Sequence, residues 1–128
     1  MGVYEVSVEG RFTARHAVRL GDGDFETPHE HDWTVVATFR SERLDPVMGV
    51  VIDFLAAQEA LRAVTGRLEG GDLNRLTDSG ATGASAERVA EFAARELAER
   101  LGGQAARLYR LAVSEAAGCW AAWYPDRP

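Results

Sequence analysis

Residues 29–39, HEHDWTVVATF, alternate between two sets of side chains with the period of two that is typical of a β-strand. Successive side chains of a strand point to opposite faces of its sheet. One face of this strand therefore carries His29, His31, Trp33, Val35, Ala37 and Phe39. The stretch predicts two imidazoles that point the same way at one end of an otherwise hydrophobic face.

A third histidine, His16, lies thirteen residues before His29 and completes the histidines of the chain. It follows residues 3–12, VYEVSVEGRF, which alternate like a first strand with Gly10 as a candidate bulge. If the two strands are neighbours, His16 joins His29 and His31. Three neutral imidazoles and one open position form a catalytic type of zinc site. Ordinary surface or hydrogen-bonding histidines fit the spacing equally well, so spacing leaves both interpretations open.

The rest of the chain predicts two helices and two further strands. Asp53 is a good N-cap for a helix ending at about Thr65, and Ser85 for a second helix that stops at Gly102. Residues 66–84 read as a polar connection. Strands at 107–115 and 119–124 are joined by a turn at 116–118, and alternation groups Glu115 with Tyr109, Leu111 and Val113. This order predicts an α+β fold, a four-stranded antiparallel sheet with both helices on one face.

Composition excludes several classes of function. With 128 residues and 46% hydrophobic composition, residues 1–128 suit a single domain. The net charge of -6 and the absence of a basic run argue against nucleic acid and anionic membrane as partners. No apolar stretch approaches the roughly 20 residues that span a bilayer, and the start lacks a signal-peptide core. A lone Cys119 forms no internal disulfide, so we expect a cytoplasmic protein.

Several blocks of the sequence, in order, are similar to motifs of the 6-pyruvoyl-tetrahydropterin synthase and 6-carboxy-tetrahydropterin synthase family. These blocks are Phe12-Thr-Ala-Arg-His16, His29-Glu-His31, Met48-Gly-Val-Val-Ile-Asp-Phe54, Leu73-Asn74, Ser85-Ala-Glu87 and Val113-Ser-Glu115. They cover nearly the whole chain, which makes them more specific together than any single motif. The resemblance favours the metal interpretation, with His16, His29 and His31 as ligands of Zn²⁺.

The resemblance implies the tunnelling fold, or T-fold, in which several subunits close their sheets into a barrel. A homohexamer built from two trimers, or another homo-oligomer, is implied, with sites at the subunit interfaces. Closure also removes the open sheet edges that an isolated four-stranded sheet would expose.

Glu115 resembles the family's glutamate that anchors the pterin ring. A carboxylate suits that task because its two oxygens accept parallel, charge-assisted hydrogen bonds from the ring. The alternative is a solvated glutamate at a strand end.

Two departures from the family concern acid–base chemistry. The position of the family's cysteine is Phe25, and Glu26 resembles the glutamate that a subset of members uses instead, so Glu26 is the candidate general base. Where the family carries an aspartate–histidine pair, this chain has Glu69 and Gly70, so Glu69 or Asp72 remains as a lone carboxylate base.

The resemblance implies a zinc-dependent lyase that acts on the side chain of a dihydroneopterin-type substrate. Because this chain lacks the family's aspartate–histidine pair, which relays protons, a second enzymatic function remains possible. It is a zinc-assisted condensation or cyclisation of another aromatic or heterocyclic small molecule. A third possibility is an inactive protein that binds zinc or pterin. Turnover of a pterin would separate the first from the third.

Overall fold

The computed structural model describes residues 2–125, and its four strands form one antiparallel sheet. The strands are β1 (Tyr4–His16), β2 (His29–Ser41), β3 (Leu108–Ala116) and β4 (Cys119–Trp123). Their order in the sheet is their order along the chain. The helices are α1 (Phe54–Leu68), the short α2 (Leu73–Leu76) and α3 (Ala86–Leu101), with 3₁₀ segments at Gly80–Thr82 and Gly102–Arg107. The predicted four-stranded antiparallel sheet is confirmed.

Helices α1 and α3 cover one face of the sheet. Helix α1 packs on β1, α3 packs on β3 and β4, and the two helices contact each other. The core between the layers includes Val8, Phe12, Trp33, Val35, Phe39, Leu61, Leu68, Val89, Leu97, Leu111 and Val113. The predicted α+β arrangement is therefore confirmed. Within residues 2–125, no helix has the length and hydropathy that crossing a bilayer requires.

Both predicted helix N-caps are observed. An Asp53 carboxylate oxygen accepts a hydrogen bond from the Leu55 amide at 3.0 Å, and Ser85 Oγ accepts one from the Arg88 amide at 3.2 Å. Each bond satisfies an amide that the first turn leaves unpaired. Helix α1 extends past Thr65 to Leu68, a buried residue of the core.

Gly10 does not form a bulge. The register of β1 and β2 is continuous, and Gly10 pairs with Val35. A Cβ on Gly10 would lie 3.2 Å from Thr65 Cγ2 and 3.3 Å from Leu61 Cδ2. The glycine instead lets α1 approach the sheet closely, a tertiary requirement that the local pattern does not reveal.

Tyr109 lies on the opposite face of β3 from Leu111, so the predicted grouping of Tyr109 with Glu115 was wrong. A register shift between Thr38 and Phe39 pairs Phe39 with the buried Leu108. Tyr109 instead packs under the Arg40 guanidinium, 3.7 Å from the ring centroid. The cause is the irregularity itself, because one extra residue reverses the alternation.

The predicted polar connection contains helix α2, which the sequence pattern did not reveal. Asp72 caps this helix, since its carboxylate accepts a hydrogen bond from the Asn74 amide at 3.1 Å. The helix places Leu73 in the core, where its side chain is fully buried. The cap, the buried Leu73 and the contact of Leu76 with the core hold this helix of four residues.

Candidate metal centre

Three histidine side chains meet where β1 ends and β2 begins. His16, the last residue of β1, lies opposite His29, the first residue of β2, and His31 lies opposite Ala14. The ring centroids of His16 and His29 are 4.8 Å apart, and those of His29 and His31 are 4.6 Å apart. One ring nitrogen from each histidine lies within 4.8 Å of the other two. The three side chains can therefore hold one metal ion.

Main-chain carbonyl groups orient two of the three rings. Nδ1 of His16 lies 2.7 Å from the Ala84 carbonyl oxygen, and Nδ1 of His29 lies 2.9 Å from that of Thr27. A carbonyl oxygen only accepts, so each Nδ1 carries a hydrogen and donates it. In a neutral ring the lone pair is then on Nε2, the nitrogen that is left to bind a metal. A hydrogen bond of this kind is the usual partner of a metal-binding imidazole.

Three buried polar atoms around this point have no hydrogen-bond partner among the described residues. They are Nε2 of His16, Nε2 of His31 and Oε2 of Glu115. Buried polar groups without a partner are rare because their desolvation is not repaid. A cation bound between the rings would satisfy them, so the residues fit a metal ion.

Trp33 supports the cluster from beneath. Its ring is fully buried and lies edge-on to His16, with centroids 5.0 Å apart, and edge-on to His31 at 6.0 Å. Its Nε1 donates a hydrogen bond to the Ala14 carbonyl oxygen at 3.2 Å, and its other neighbour is the stacked ring of Phe12. The indole therefore joins the hydrophobic core to the strand positions that carry the histidines.

Asn74 and Gly83 hold the segment that follows His16, and the sequence pattern predicts this role for neither. The Asn74 side chain accepts a hydrogen bond from the Ala17 amide at 3.0 Å and donates one to the Ala17 carbonyl oxygen at 2.9 Å. Gly83 has a φ of 80°, and a Cβ there would lie 2.2 Å from the same carbonyl oxygen. The resemblance of Leu73-Asn74 to a family motif pointed to Asn74, but it did not predict the hydrogen bonds to Ala17.

Two glutamates flank the histidine cluster. Oε2 of Glu115 lies 3.1 Å from Nε2 of His16, and Oε1 of Glu26 lies 3.8 Å from Nε2 of His29. Glu26 Oε1 also accepts a hydrogen bond from the Val18 amide at 3.0 Å, which holds the carboxylate in place. The structure thus brings both carboxylates beside the three imidazoles.

Glu69 contacts the outer edge of β1. Its Oε1 accepts a hydrogen bond from the Thr13 amide at 3.2 Å. The adjoining Gly70 amide donates to the Thr13 carbonyl oxygen at 2.6 Å, and the Arg15 amide donates to the Gly71 carbonyl oxygen at 3.1 Å. Glu69 is therefore fixed against the edge of β1 that does not pair with β2. Asp72, the other candidate base of this segment, serves as the α2 cap.

Two surface cavities adjoin these carboxylates. One, of about 440 Å³, is lined by Asp32, Thr34, Ser114, Glu115, Gly118 and Trp120 together with Ala116 and Ala117. The other, of about 280 Å³, is lined by Arg11, Phe12, Thr13, Asp32 and Glu69. Asp32 lines both. The volume of the larger cavity is within the range of small-molecule sites, and the carboxylates and hydroxyl groups of its lining supply oxygen atoms that can bind a ligand.

Solved structures share this fold over nearly the whole chain. 6-Pyruvoyl tetrahydropterin synthase from Caenorhabditis elegans matches with a TM-score of 0.81 at 14% identity, covering 98% of this chain and 98% of that one. The enzyme from Plasmodium vivax matches with a TM-score of 0.79 at 20% identity, covering 99% and 100%. An uncharacterized protein from Wolinella succinogenes matches with a TM-score of 0.75 at 15% identity, covering 98% and 100%. No curated protein sequence matches the chain.

The sheet, its helical layer and these structural matches define a T-fold protein. The family model described as 6-pyruvoyl tetrahydropterin synthase matches residues 5–126. The chain therefore belongs to the 6-pyruvoyl tetrahydropterin synthase family.

Proposed function

We propose that this chain is a zinc-dependent lyase that acts on the side chain of a dihydroneopterin-type substrate. The observation that carries the proposal is the convergence of three imidazoles, two with buried and unpartnered Nε2 atoms, beside the carboxylate of Glu26. His16, His29 and His31 would hold the metal. Zn²⁺ suits this donor set, because three nitrogen ligands leave one position for a substrate oxygen.

Zinc at this centre would polarise a substrate hydroxyl or carbonyl oxygen and so acidify the neighbouring hydrogen. Glu26 would accept that proton. Its Oε1 lies 3.8 Å from Nε2 of His29, a proposed ligand atom, and the Val18 amide holds the carboxylate. The Plasmodium vivax enzyme has also been solved with its catalytic glutamate replaced by alanine or cysteine. A catalytic glutamate is thus compatible with the family.

Glu115 would recognise the heterocyclic ring of the substrate. It lines the cavity of about 440 Å³ and offers two coplanar acceptors to ring N–H donors. Thr34 and Ser114 line the same cavity. The Thr34 hydroxyl can both donate and accept, whereas Ser114 Oγ donates to the Ala116 carbonyl oxygen at 2.7 Å and so offers the ligand an acceptor. These residues would orient the heterocyclic ring of the substrate, and the side chain of the substrate would extend towards the histidines.

Glu69 would act in a site shared between subunits. It lies on the outer edge of β1, next to the open strand edge that a second copy could cover. We propose a homo-oligomer, a hexamer or another closed ring, because closure pairs the exposed edges of β1 and β4. In that assembly Glu69 of one subunit would approach the metal centre of its neighbour as a second carboxylate base.

A second candidate function is a zinc-assisted condensation or cyclisation of another aromatic or heterocyclic molecule. Phe25 at the family's cysteine position and Gly70 at its relay-histidine position favour this candidate. Neither residue can carry a proton, so an enzyme that needs a different acid–base arrangement is consistent with both.

The test is incubation of the purified protein with dihydroneopterin triphosphate, with products followed by mass spectrometry. We expect a pterin with a shortened side chain. Glu26→Gln should lower kcat by about 10²–10⁴-fold, the usual contribution of a general base, while zinc content is unchanged. Glu30→Gln is the matched control, since it removes the same charge from an exposed residue between the two β2 histidines.

The outcomes separate the two candidates. A zinc-loaded protein that leaves the pterin intact would rule out the lyase and move the search to aldehyde and imine substrates. Equal activity in Glu26→Gln and wild type would remove Glu26 as the base.

A further inference from the structure

We propose that Arg110 and Tyr124 bind a small oxyanion, a phosphate or a carboxylate group, on the sheet face that the helices leave uncovered. The neighbouring Arg40 follows the core residue Phe39 on β2 and so points away from the helical layer. Nine positions of β2 separate Arg40 from His31, which is roughly 30 Å at about 3.3 Å per residue. This site is therefore separate from the candidate metal centre and does not depend on the proposed function.

A connected cluster of five side chains crosses the sheet at the end opposite the histidines. Its members are Glu5 of β1, Arg40 of β2, Tyr109 and Arg110 of β3, and Tyr124, which directly follows β4. The Arg40 guanidinium lies 3.7 Å from the centroid of the Tyr109 ring. The rings of Tyr109 and Tyr124 meet edge-on with centroids 5.4 Å apart, and the Arg110 guanidinium lies 5.9 Å from the Tyr124 ring. The five side chains thus share one face of the sheet.

The irregularity in β3 places Tyr109 and Arg110 side by side. Phe39 of β2 points into the core and pairs with Leu108. Regular pairing with β2 resumes at Arg110, which leaves Tyr109 as the extra residue. Successive side chains of a regular strand point to opposite faces, but here both residues contact Tyr124. A bulge can redirect a side chain in this way, and this one brings a cation beside two aromatic rings.

The two arginines of the cluster differ in their partners. Arg40 Nε donates a hydrogen bond to Glu5 Oε1 at 2.6 Å, so this carboxylate neutralises its guanidinium. Arg110 Nε donates instead to the neutral hydroxyl of Tyr124 at 3.0 Å. No carboxylate of the described residues forms an ion pair with Arg110. The cluster therefore carries one uncompensated positive charge, in a chain with a net charge of -6.

The burial of Arg110 makes this uncompensated charge costly. Its side chain is partly buried, whereas Arg62 on helix α1 is exposed and remains hydrated. Removal of a charged group from water destabilises a protein unless an opposite charge or hydrogen bonds compensate for the lost hydration. An anion beside the Arg110 guanidinium would supply both.

The remaining donors define the class of ligand. Because Nε of Arg110 is used by Tyr124, the N–H groups of its two Nη atoms remain for a ligand. Parallel N–H groups of a guanidinium match two oxygens of a carboxylate or of a phosphate group. The Tyr124 hydroxyl oxygen accepts from Nε, so its own hydrogen can be donated to the same ligand. All these groups are donors, so a small oxyanion is the complementary ligand.

The test measures anion binding by isothermal titration calorimetry at constant ionic strength, with chloride as the background anion. The probes are inorganic phosphate and acetate. Arg110→Gln removes the guanidinium, Tyr124→Phe removes the hydroxyl alone, and Arg62→Gln is the matched control that removes the same charge from an exposed position. His31→Ala tests whether an anion binds at the histidine centre instead. Circular dichroism shows whether each variant is folded.

We expect saturable binding to the wild-type protein, and the probe that binds more tightly identifies the anion as phosphate or carboxylate. Arg110→Gln should weaken this binding by at least about 10-fold, the effect of losing charge-assisted hydrogen bonds. Tyr124→Phe should weaken it by about 2–10-fold, the effect of losing one neutral hydrogen bond. Arg62→Gln should match wild type, and His31→Ala should keep the site.

Three results would overturn the proposal. The first is a wild-type protein that binds neither anion in a saturable way. The second is equal affinity in Arg110→Gln and wild type or, if that variant does not fold, equal affinity in Tyr124→Phe and wild type. The third is binding that persists in Arg110→Gln and disappears in His31→Ala, because the anion would then lie at the histidine centre.

Discussion

Asn74 and Ala17 are 57 residues apart in the chain, yet the Asn74 side chain pairs with both backbone polar groups of Ala17. Ala17 directly follows His16, so this pair of hydrogen bonds fixes the end of β1 against helix α2. The amide of Asn74 thus positions the backbone next to His16, a residue of the candidate metal centre.

Replacement of Asn74 by alanine should destabilise the protein by about 1–3 kcal/mol, because it leaves both Ala17 groups without their partners. The Zn²⁺ affinity should fall as well, since His16 is no longer held in place. Urea unfolding of the metal-free protein and chelator competition measure the two effects. Arg75→Ala, an exposed change on the same helix, should stay within about 0.5 kcal/mol of wild type. Equal stability of the two variants would contradict this role for Asn74.

Gly83→Ala should be more harmful than Gly80→Ala, although both glycines have a positive φ. Gly80 has a φ of 69° and open space where a Cβ would be placed, whereas the Cβ at Gly83 would lie 2.2 Å from the Ala17 carbonyl oxygen. Gly83 also has a ψ of −179°, which together with its φ is a conformation essentially restricted to glycine, so Gly83→Ala carries a backbone cost of about 1–3 kcal/mol. The clash should add about 1–3 kcal/mol in Gly83→Ala alone. Thermal unfolding of the pair measures the difference, and its absence would show that the Ala17 segment can move aside freely.

Trp33→Phe should weaken the metal centre from beneath. The change removes the hydrogen bond to the Ala14 carbonyl oxygen and leaves space under two of the histidines. We expect a loss of about 1–3 kcal/mol in the free energy of unfolding and a lower affinity for Zn²⁺. The control is Trp120→Phe, because Trp120 is half exposed. A Trp33→Phe variant that binds Zn²⁺ as tightly as the control would show that the indole does not support the centre.

Asp53→Ala should lower the free energy of unfolding without changing the binding of Zn²⁺. Loss of the N-cap bond to the Leu55 amide removes about 1 kcal/mol from the free energy of unfolding. Helix α1 packs on β1, but its N-terminus supplies none of the described contacts of the three histidines. Denaturant unfolding should therefore register the change while the stoichiometry of Zn²⁺ stays the same. A loss of Zn²⁺ in this variant would mean that the centre depends on overall stability.

Local features of the fold could be predicted from the sequence. The alternation in β2 and the caps Asp53 and Ser85 are set by neighbouring residues, so each was visible in a short window. The faces of β2 also predicted that His29 and His31 point together. The pairing of β1 with β2, which brings in His16, was only a condition at the level of the sequence, and the structure supplies it.

Features that depend on distant contacts could not be predicted in this way. The sequence around Gly10 predicted a bulge, because local alternation carries no information about α1, the helix that packs against this glycine. Tyr109 was assigned to the wrong face of β3, because one extra residue at a register shift exchanges the faces of the side chains on either side of it. The partner of Asn74 lies 57 residues away, and the contact between Glu115 and His16 joins β3 to β1 across the sheet. These contacts exist only in the folded chain.

The most direct test of the proposed zinc site is the zinc content of the protein purified without added metal, together with that of His31→Ala and Glu30→Gln. His31 has a buried and unpartnered Nε2, as His16 does, whereas Glu30 is its exposed neighbour on the other face of β2. We predict about one zinc ion per chain in wild type and Glu30→Gln, and a small fraction of that in His31→Ala. A wild-type protein that neither carries zinc nor binds it on titration, or a His31→Ala variant that binds zinc like wild type, would contradict the account.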